Sequence, residues 1–156
     1  MSAVLNLPEA EVRPMTERDI KAVLDIEARS YAFPWSEGIF RDCLRVGYSC
    51  WISEAEGQVI GYGILSAGAG EAHVLNVCVD PERRGQGHGL KLLNRLINLG
   101  RWHHARTIYL EVRPSNARAI EVYEKRGFSV VGRRPNYYPA NPGREDALIM
   151  AMKLTD

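Results

Sequence analysis

Hydrophobic and polar positions recur along this chain with two different periods, and the switches between them divide it into elements. Val12-Arg13-Pro14-Met15 predicts a short first strand. Thr16 with Asp19 three residues later gives a helix start of the capping-box kind, and Ile20, Val23, Leu24 and Ile26 supply the apolar stripe of a helix to about Arg29. Tyr31-Ala32-Phe33-Pro34-Trp35-Ser36 interrupts the stripe. Pro34 breaks the helix, and Ser36 predicts the cap of a second short helix carrying Ile39, Phe40, Cys43 and Leu44. Three strands follow, at Tyr48 to Glu54, Val59 to Leu65 and Ala72 to Val79. The tight-turn dipeptide Glu56-Gly57 makes the first two an antiparallel hairpin, and Gly68 to Gly70 marks the next turn.

Beyond Val79 the pattern changes. Asp80-Pro81 ends the strand, because proline lacks the amide that a ladder needs. Leu90, Leu92, Leu93, Leu96, Ile97 and Leu99 then recur at helical spacing, predicting a helix near residues 88 to 100. Thr107 to Arg113 is a strand with Leu110 and Val112 on one face and Tyr109, Glu111 and Arg113 on the other. Pro114 stops it and Ser115 caps a further helix, in which Asn116, Ile120 and Tyr123 share a face. Gly127 ends that helix in the left-handed conformation that glycine adopts cheaply, and Phe128 enters another strand. Arg133 to Pro139 reads as a loop by its prolines. Ala147 to Leu154 alternates and reads as a closing strand. The order implies an α/β fold with a βαβ crossover, in one domain over residues 1–156 with a loose lead-in over 1–10. No internal repeat or low-complexity tract interrupts it.

Composition narrows the class. Hydrophobic residues make up 46% of the 156 and charged residues 25%, the proportions of an ordinary soluble globular protein. A formal net charge of +1 argues against a protein that relies on bulk electrostatics to hold nucleic acid. No apolar run approaches the roughly 20 residues that cross a bilayer, and the N-terminus has no signal pattern, so no membrane partner is expected. Cys43, Cys50 and Cys78 have no CxxC spacing and read as buried reduced thiols, which fits the cytoplasm. His103-His104 is an adjacent pair without metal-ligand spacing, so no metal is expected.

The candidate chemistry begins at the glycines. Gly85, Gly87 and Gly89 remove side chains where the amides at a helix N-terminus are unpaired, which makes an anion site suited to phosphate. A Walker loop would end in Gly-Lys-Ser/Thr and a Rossmann fingerprint would read GxGxxG with an acid about 20 residues on; neither stands here. Arg84-Gly85-Gln86-Gly87-His88-Gly89 resembles the Q/R-x-x-G-x-G/A signature of the Gcn5-related N-acetyltransferases (GNAT), whose loop binds the diphosphate of acetyl-coenzyme A. Ala32-Phe33-Pro34-Trp35-Ser36, Leu110-Glu111-Val112-Arg113, Ser115-Asn116-Ala117, Tyr123 with Gly127-Phe128, Asn136-Tyr137-Tyr138-Pro139 and Gly143-Arg144-Glu145-Asp146-Ala147 resemble the bacterial ribosomal-protein-alanine N-acetyltransferases, the RimI type.

That resemblance implies a mixed, mostly antiparallel twisted sheet flanked by helices, with a splayed central strand pair forming the cofactor cleft. It implies transfer of acetyl from acetyl-CoA to the α-amino group of the N-terminal alanine of a small-subunit ribosomal protein. Val77, Cys78 and Val79 match the strand whose backbone holds the pantetheine arm. Arg84, Gly85, Gln86, Gly87, His88, Gly89 and Leu90 match the diphosphate loop, and Leu90 departs from the polar residue common there. Asn116 matches a further cofactor contact, Glu111 the general base and Tyr123 the general acid. An α-amino group with pKa near 8 is about nine-tenths protonated at pH 7, so a base must take its proton before it can attack. Glu111 suits that task directly or through a water. Departing coenzyme A is a thiolate, to which Tyr123 can donate. Phe33 and Trp35, around Pro34, are either a packed loop corner or part of an acceptor-binding loop; with Tyr137 and Tyr138 they are the candidate substrate contacts. The same chemistry on other protein N-termini, lysines or small amines is a second reading, and a non-catalytic acyl-CoA sensor or interaction module a third.

Overall fold

The computed structural model describes residues 10–155. Most of the expected lead-in over 1–10 therefore lies outside the described residues; Ala10 is buried with Ala55 and Ile60. Seven strands, β1 (Glu11–Pro14), β2 (Ser49–Ala55), β3 (Gln58–Gly68), β4 (Glu71–Val79), β5 (Thr107–Val112), β6 (Ser129–Pro139) and β7 (Arg144–Lys153), form one sheet in the order β1-β2-β3-β4-β5-β7-β6. Among the described residues four α-helices accompany them: α1 (Ile20–Ser30), α2 (Glu37–Arg45), α3 (His88–Trp102) and α4 (Ala117–Arg126). β1 pairs with β2, β5 with β7 and β6 with β7 antiparallel, while β4 and β5 pair parallel. The expected α/β class and the mixed sheet are both present. The chain falls into two compact units, one running to Ile64 and resumed over Asn76–Arg95, the other comprising Leu65–Leu75 and the chain from Leu96.

In the first unit, helix starts follow the side chains expected to make them. The Thr16 amide donates to the Asp19 carboxylate at 2.8 Å, and one turn of 3-10 helix, Glu17–Asp19, leads into α1. Ile20, Val23 and Ile26 are buried as the stripe requires, and Glu27 is buried with them. Ser36 caps α2 by accepting from the Ile39 amide. Glu56 and Gly57 both have positive φ, 52° and 75°, the geometry of the two-residue hairpin turn between β2 and β3.

In the second unit, the parallel ladder runs from Glu71↔Thr107 to Val74↔Leu110 and stops there. β4 nevertheless continues to Val79 and β5 to Val112. The last β4 residues therefore lie outside that ladder. Along β5, Ile108, Leu110 and Val112 are buried, with Tyr109 and Glu111 on the other face.

Two expectations need correction. Arg133 to Pro139 is not a loop; it is the second half of β6. β6 is the last strand of the sheet, so one side of it makes no demand on a proline's missing amide, and the register breaks between Arg134 and Tyr138, around Pro135. Asn136 absorbs the irregularity with φ 51°, its amide donating to Asp146 Oδ1 at 2.9 Å. The cap of α4 is Asn116 rather than Ser115. Asn116 Oδ1 accepts from the Ala119 amide at 3.2 Å, while the Ser115 amide goes to Glu145 Oε2 at 3.0 Å.

Candidate active site

The first unit carries the strand and loop matched to the cofactor. Cys78 is buried, whereas Val77 and Val79 on the opposite face are half-buried. The three cysteines are all buried, free thiols. The strand is held from behind by Gly61 of β3, where a Cβ would lie 2.9 Å from the Cys78 carbonyl and 3.1 Å from Leu92 Cδ1. No other residue type fits there without displacement, a constraint that nothing in the local sequence announces.

After Val79, Asp80 accepts from the Glu82 amide and turns the chain. Gly85 and Gly87 take φ 79° and 86°, values at which an L side chain costs about 1–2 kcal/mol. The Lys91 amide to the Gly87 carbonyl, 3.1 Å, is the opening backbone bond of α3. The amides of His88, Gly89 and Leu90 therefore lie in the first turn, where a helix has no acceptor of its own to offer. Gly89 brings this turn close to the strand: a Cβ on it would stand 3.4 Å from Val79 Cγ2. Arg84 Nε donates to the Val79 carbonyl at 3.3 Å, and the His88 ring lies 3.1 Å from Gln86 Oε1. Burial, then Arg83 and Lys91, lower the His88 pKa below 6.5, so at neutral pH the ring is largely uncharged and the loop attracts anions through its amides and arginines. Leu90 is exposed. Glycines at positive φ, an open first turn of a 15-residue helix and an adjoining strand outside the β5 ladder fit a diphosphate with a pantetheine arm.

The second unit carries the matched acid and base. Glu111 is one-fifth exposed, and its Oε1 lies 3.6 Å from Arg134 Nε. Arg113, just past the end of β5, is drawn elsewhere: it donates to Glu145 at 3.1 Å and lies over the Tyr138 ring at 4.4 Å. Tyr138 packs edge-on against Tyr137 at 4.9 Å. Burial, then the nearby Glu111 carboxylate, push the Tyr138 hydroxyl well above its ordinary range, so it keeps its proton. Tyr123 is half-buried on α4 with its ring 5.9 Å from Phe128. Asn116 is exposed and uses its side-chain oxygen as a helix cap. The β6 residues brought to Glu111, Arg134 above all, are not expected from sequence. Its neighbouring prolines make Arg134 read as loop, and strand pairing through β7 is what carries it there.

The two loop aromatics separate in role. The Trp35 ring packs on Phe40 at 5.3 Å, and Phe40 meets Tyr62 edge-on at 5.6 Å, so Trp35 anchors the loop; Phe33 is 44% exposed. Among the described residues no group of three or more His, Cys, Asp or Glu is placed to hold a metal ion. No helix among them is long and apolar enough to cross a membrane.

A glycine-opened helix following a strand whose end lies outside the β5 ladder is the frame expected of an acyl transferase, and the comparisons with known proteins fall on the same class. The model of the acetyltransferase (GNAT) family matches residues 20–128, and the chain belongs to that family. Within it, the chain is 40% identical over 137 residues to the [ribosomal protein bS18]-alanine N-acetyltransferase of Escherichia coli K12, covering 88% of this chain and 93% of that one. The crystal structure of the ribosomal-protein-S18-alanine N-acetyltransferase from Escherichia coli superposes with a TM-score of 0.87 at 37% identity, over 94% of this chain and 95% of that one. The structure of yncA from Salmonella typhimurium, solved with its cofactor acetyl-CoA, shares the fold at a TM-score of 0.79 and 22% identity, over 95% of each chain.

Proposed function

We propose that this enzyme transfers acetyl from acetyl-CoA to the α-amino group of the N-terminal alanine of a small-subunit ribosomal protein. The observation that carries this reading is the 40% identity, over nearly the whole of both chains, to a bS18-alanine N-acetyltransferase. The domain is taken to be the whole of residues 1–156. Acetyl-CoA supplies the activated thioester. The amides and carbonyls of Val77, Cys78 and Val79 would take its pantetheine arm, and Arg84, Gly85, Gln86, Gly87, His88, Gly89 and Leu90 its diphosphate, with Asn116 a further contact. Three buried thiols suit a reducing compartment, so the reaction is assigned to the cytoplasm.

Transfer is direct. Glu111 takes the ammonium proton, itself or through a water, and the freed lone pair attacks the thioester carbonyl. Arg134 engages Oε1, so Oε2 is the oxygen assigned to the proton. Collapse of the tetrahedral adduct breaks the C–S bond; the leaving thiolate receives a proton from Tyr123, and the proton that the nitrogen sheds as the neutral amide forms restores the Tyr123 phenol. A buried Cys78 thiol, on the face turned away from Val77 and Val79, offers no accessible nucleophile for an acyl-enzyme. Phe33, Tyr137 and Tyr138 are assigned to the acceptor, with Trp35 holding the loop that carries Phe33.

The test is acetyl transfer to peptides copying the ribosomal protein's N-terminus, free and α-blocked, read by mass. Only the free peptide is expected to gain one acetyl group, with kcat lowered about 10²–10⁴-fold in Glu111→Gln and in Tyr123→Phe. Wild-type inactivity on that peptide, with acetyl-CoA still bound, moves the acceptor to another N-terminus, a lysine or a small amine. Equal activity in Glu111→Gln removes Glu111 from the mechanism.

A further inference from the structure

Glu27 belongs to neither the cofactor strand nor the acid and base, yet it is 2% exposed, and its hydrogen bonds among the described residues come from neutral groups. Three donors converge on it. Oε1 accepts from the Tyr62 hydroxyl at 2.5 Å and from Asn76 Nδ2 at 3.0 Å; Oε2 accepts from the Trp35 main-chain amide at 2.8 Å. These partners come from β3, from β4 immediately before Val77, and from the loop between α1 and α2. A buried carboxylate met by donors on both oxygens is held in place by its partners and holds them in turn. Tyr31, in the same loop, brings its hydroxyl to 3.5 Å from both Asn76 Oδ1 and the Val77 carbonyl, so loop and strand meet twice.

We propose that Glu27 is a positioning residue for acetyl transfer: it pins the loop bearing Phe33 to the start of the cofactor strand, and so sets where the acceptor is presented. The inference rests on the reading of that loop as the acceptor loop. Its physical basis is the division of labour between the two oxygens, one serving the sheet and the other serving the loop. The Trp35 ring on Phe40 anchors one side chain, and the Glu27 bond fixes the backbone.

Glutamine at this position is isosteric but has one acceptor in place of two. Keeping its oxygen toward Tyr62 and Asn76 preserves two of the three bonds and turns its NH₂ against the Trp35 amide, donor against donor. Glu27→Gln is therefore expected to loosen the loop and spare the strand. The expected result is a peptide KM raised about tenfold or more and a Trp35 amide that exchanges with solvent at least about tenfold faster, while acetyl-CoA affinity stays within about twofold. Tyr62→Phe, which removes a sheet-side donor and leaves the loop bond, is expected to change neither peptide KM nor Trp35 exchange by more than about twofold. If Glu27→Gln does not fold, Glu27→Asp, whose shorter side chain withdraws from the loop amide, carries the same measurements. Unchanged Trp35 exchange and unchanged peptide KM in a folded variant overturn the proposal; so does an equal loss of acetyl-CoA and peptide affinity, which would make Glu27 a general support of the fold. If the wild type modifies no peptide, the acetyl-acceptor reading fails by itself, and Trp35 exchange still decides whether Glu27 pins the loop.

Discussion

At Asp19 a single carboxylate gathers the two terminal guanidinium nitrogens of Arg13, at 2.9 and 3.0 Å, and the Thr16 amide at 2.8 Å. Arg13 reaches on to Glu54 at 2.6 Å, tying the start of the helical segment to β2. The hydrogen bonds from Arg13, ahead of the other contributions, hold the Asp19 carboxyl below its ordinary value of 3.8 despite burial. A carboxyl whose folded pKa lies below its unfolded one contributes stability that is fully present above the unfolded value and is lost as pH falls through the folded value. Asp19→Asn is thus expected to lower stability by about 1–3 kcal/mol at pH 7. In urea unfolding followed against pH, the gap between variant and wild type should close below about pH 4. A gap that persists into acid would assign the cost to packing. This residue was legible in part: Thr16 and Asp19 announce a capping box, but Arg13 as partner is a consequence of β1 lying against β2.

Among elements, the β3–β4 region shows how a strand can be specified by another strand's smallest residue. Gly61 has an ordinary strand backbone, and its glycine is explained by the Cys78 carbonyl and Leu92 Cδ1, 2.9 and 3.1 Å from where its Cβ would be. Gly61→Ala must displace either that carbonyl or Leu92. We expect a loss of about 1–3 kcal/mol in denaturant stability, the usual range for overpacking. Acetyl-CoA affinity should fall in the same variant, because the displaced backbone is the one assigned to the pantetheine arm. Lost stability with undiminished affinity would detach this part of β4 from the cofactor. The helices were legible from caps and stripes, with α3 beginning at His88 as its glycines implied. β6 was not, since its prolines speak for a loop until its place at the end of the sheet is known.

For the molecule as a ligand-binding body, magnitudes limit what the glycine loop does by itself. A helix N-terminus contributes roughly 0.3–1 kcal/mol toward an anion and up to about 2 when partly buried. A micromolar ligand needs about 8. Most of the affinity for acetyl-CoA must come from strand hydrogen bonds and apolar contacts. Pyrophosphate should accordingly displace acetyl-CoA only at concentrations orders of magnitude above those at which coenzyme A does, in a competition titration; comparable potency would refute the division of labour between strand and loop. The sequence by itself determined most of the α/β order of elements, the starts of the first three helices and the faces of β5, because caps, glycines and periodicity act over a few residues. Only the tertiary structure decided that Arg134 lies at Glu111, that Gly61 makes room for Cys78 and that Glu27 joins a loop to two strands. Glu27 was half visible, standing seven residues after Ile20 and four after Val23 on the buried stripe of α1, where a carboxylate is costly unless donors meet it. Which donors those are depends on strands and a loop brought together from elsewhere in the chain, and no local pattern encodes that pairing.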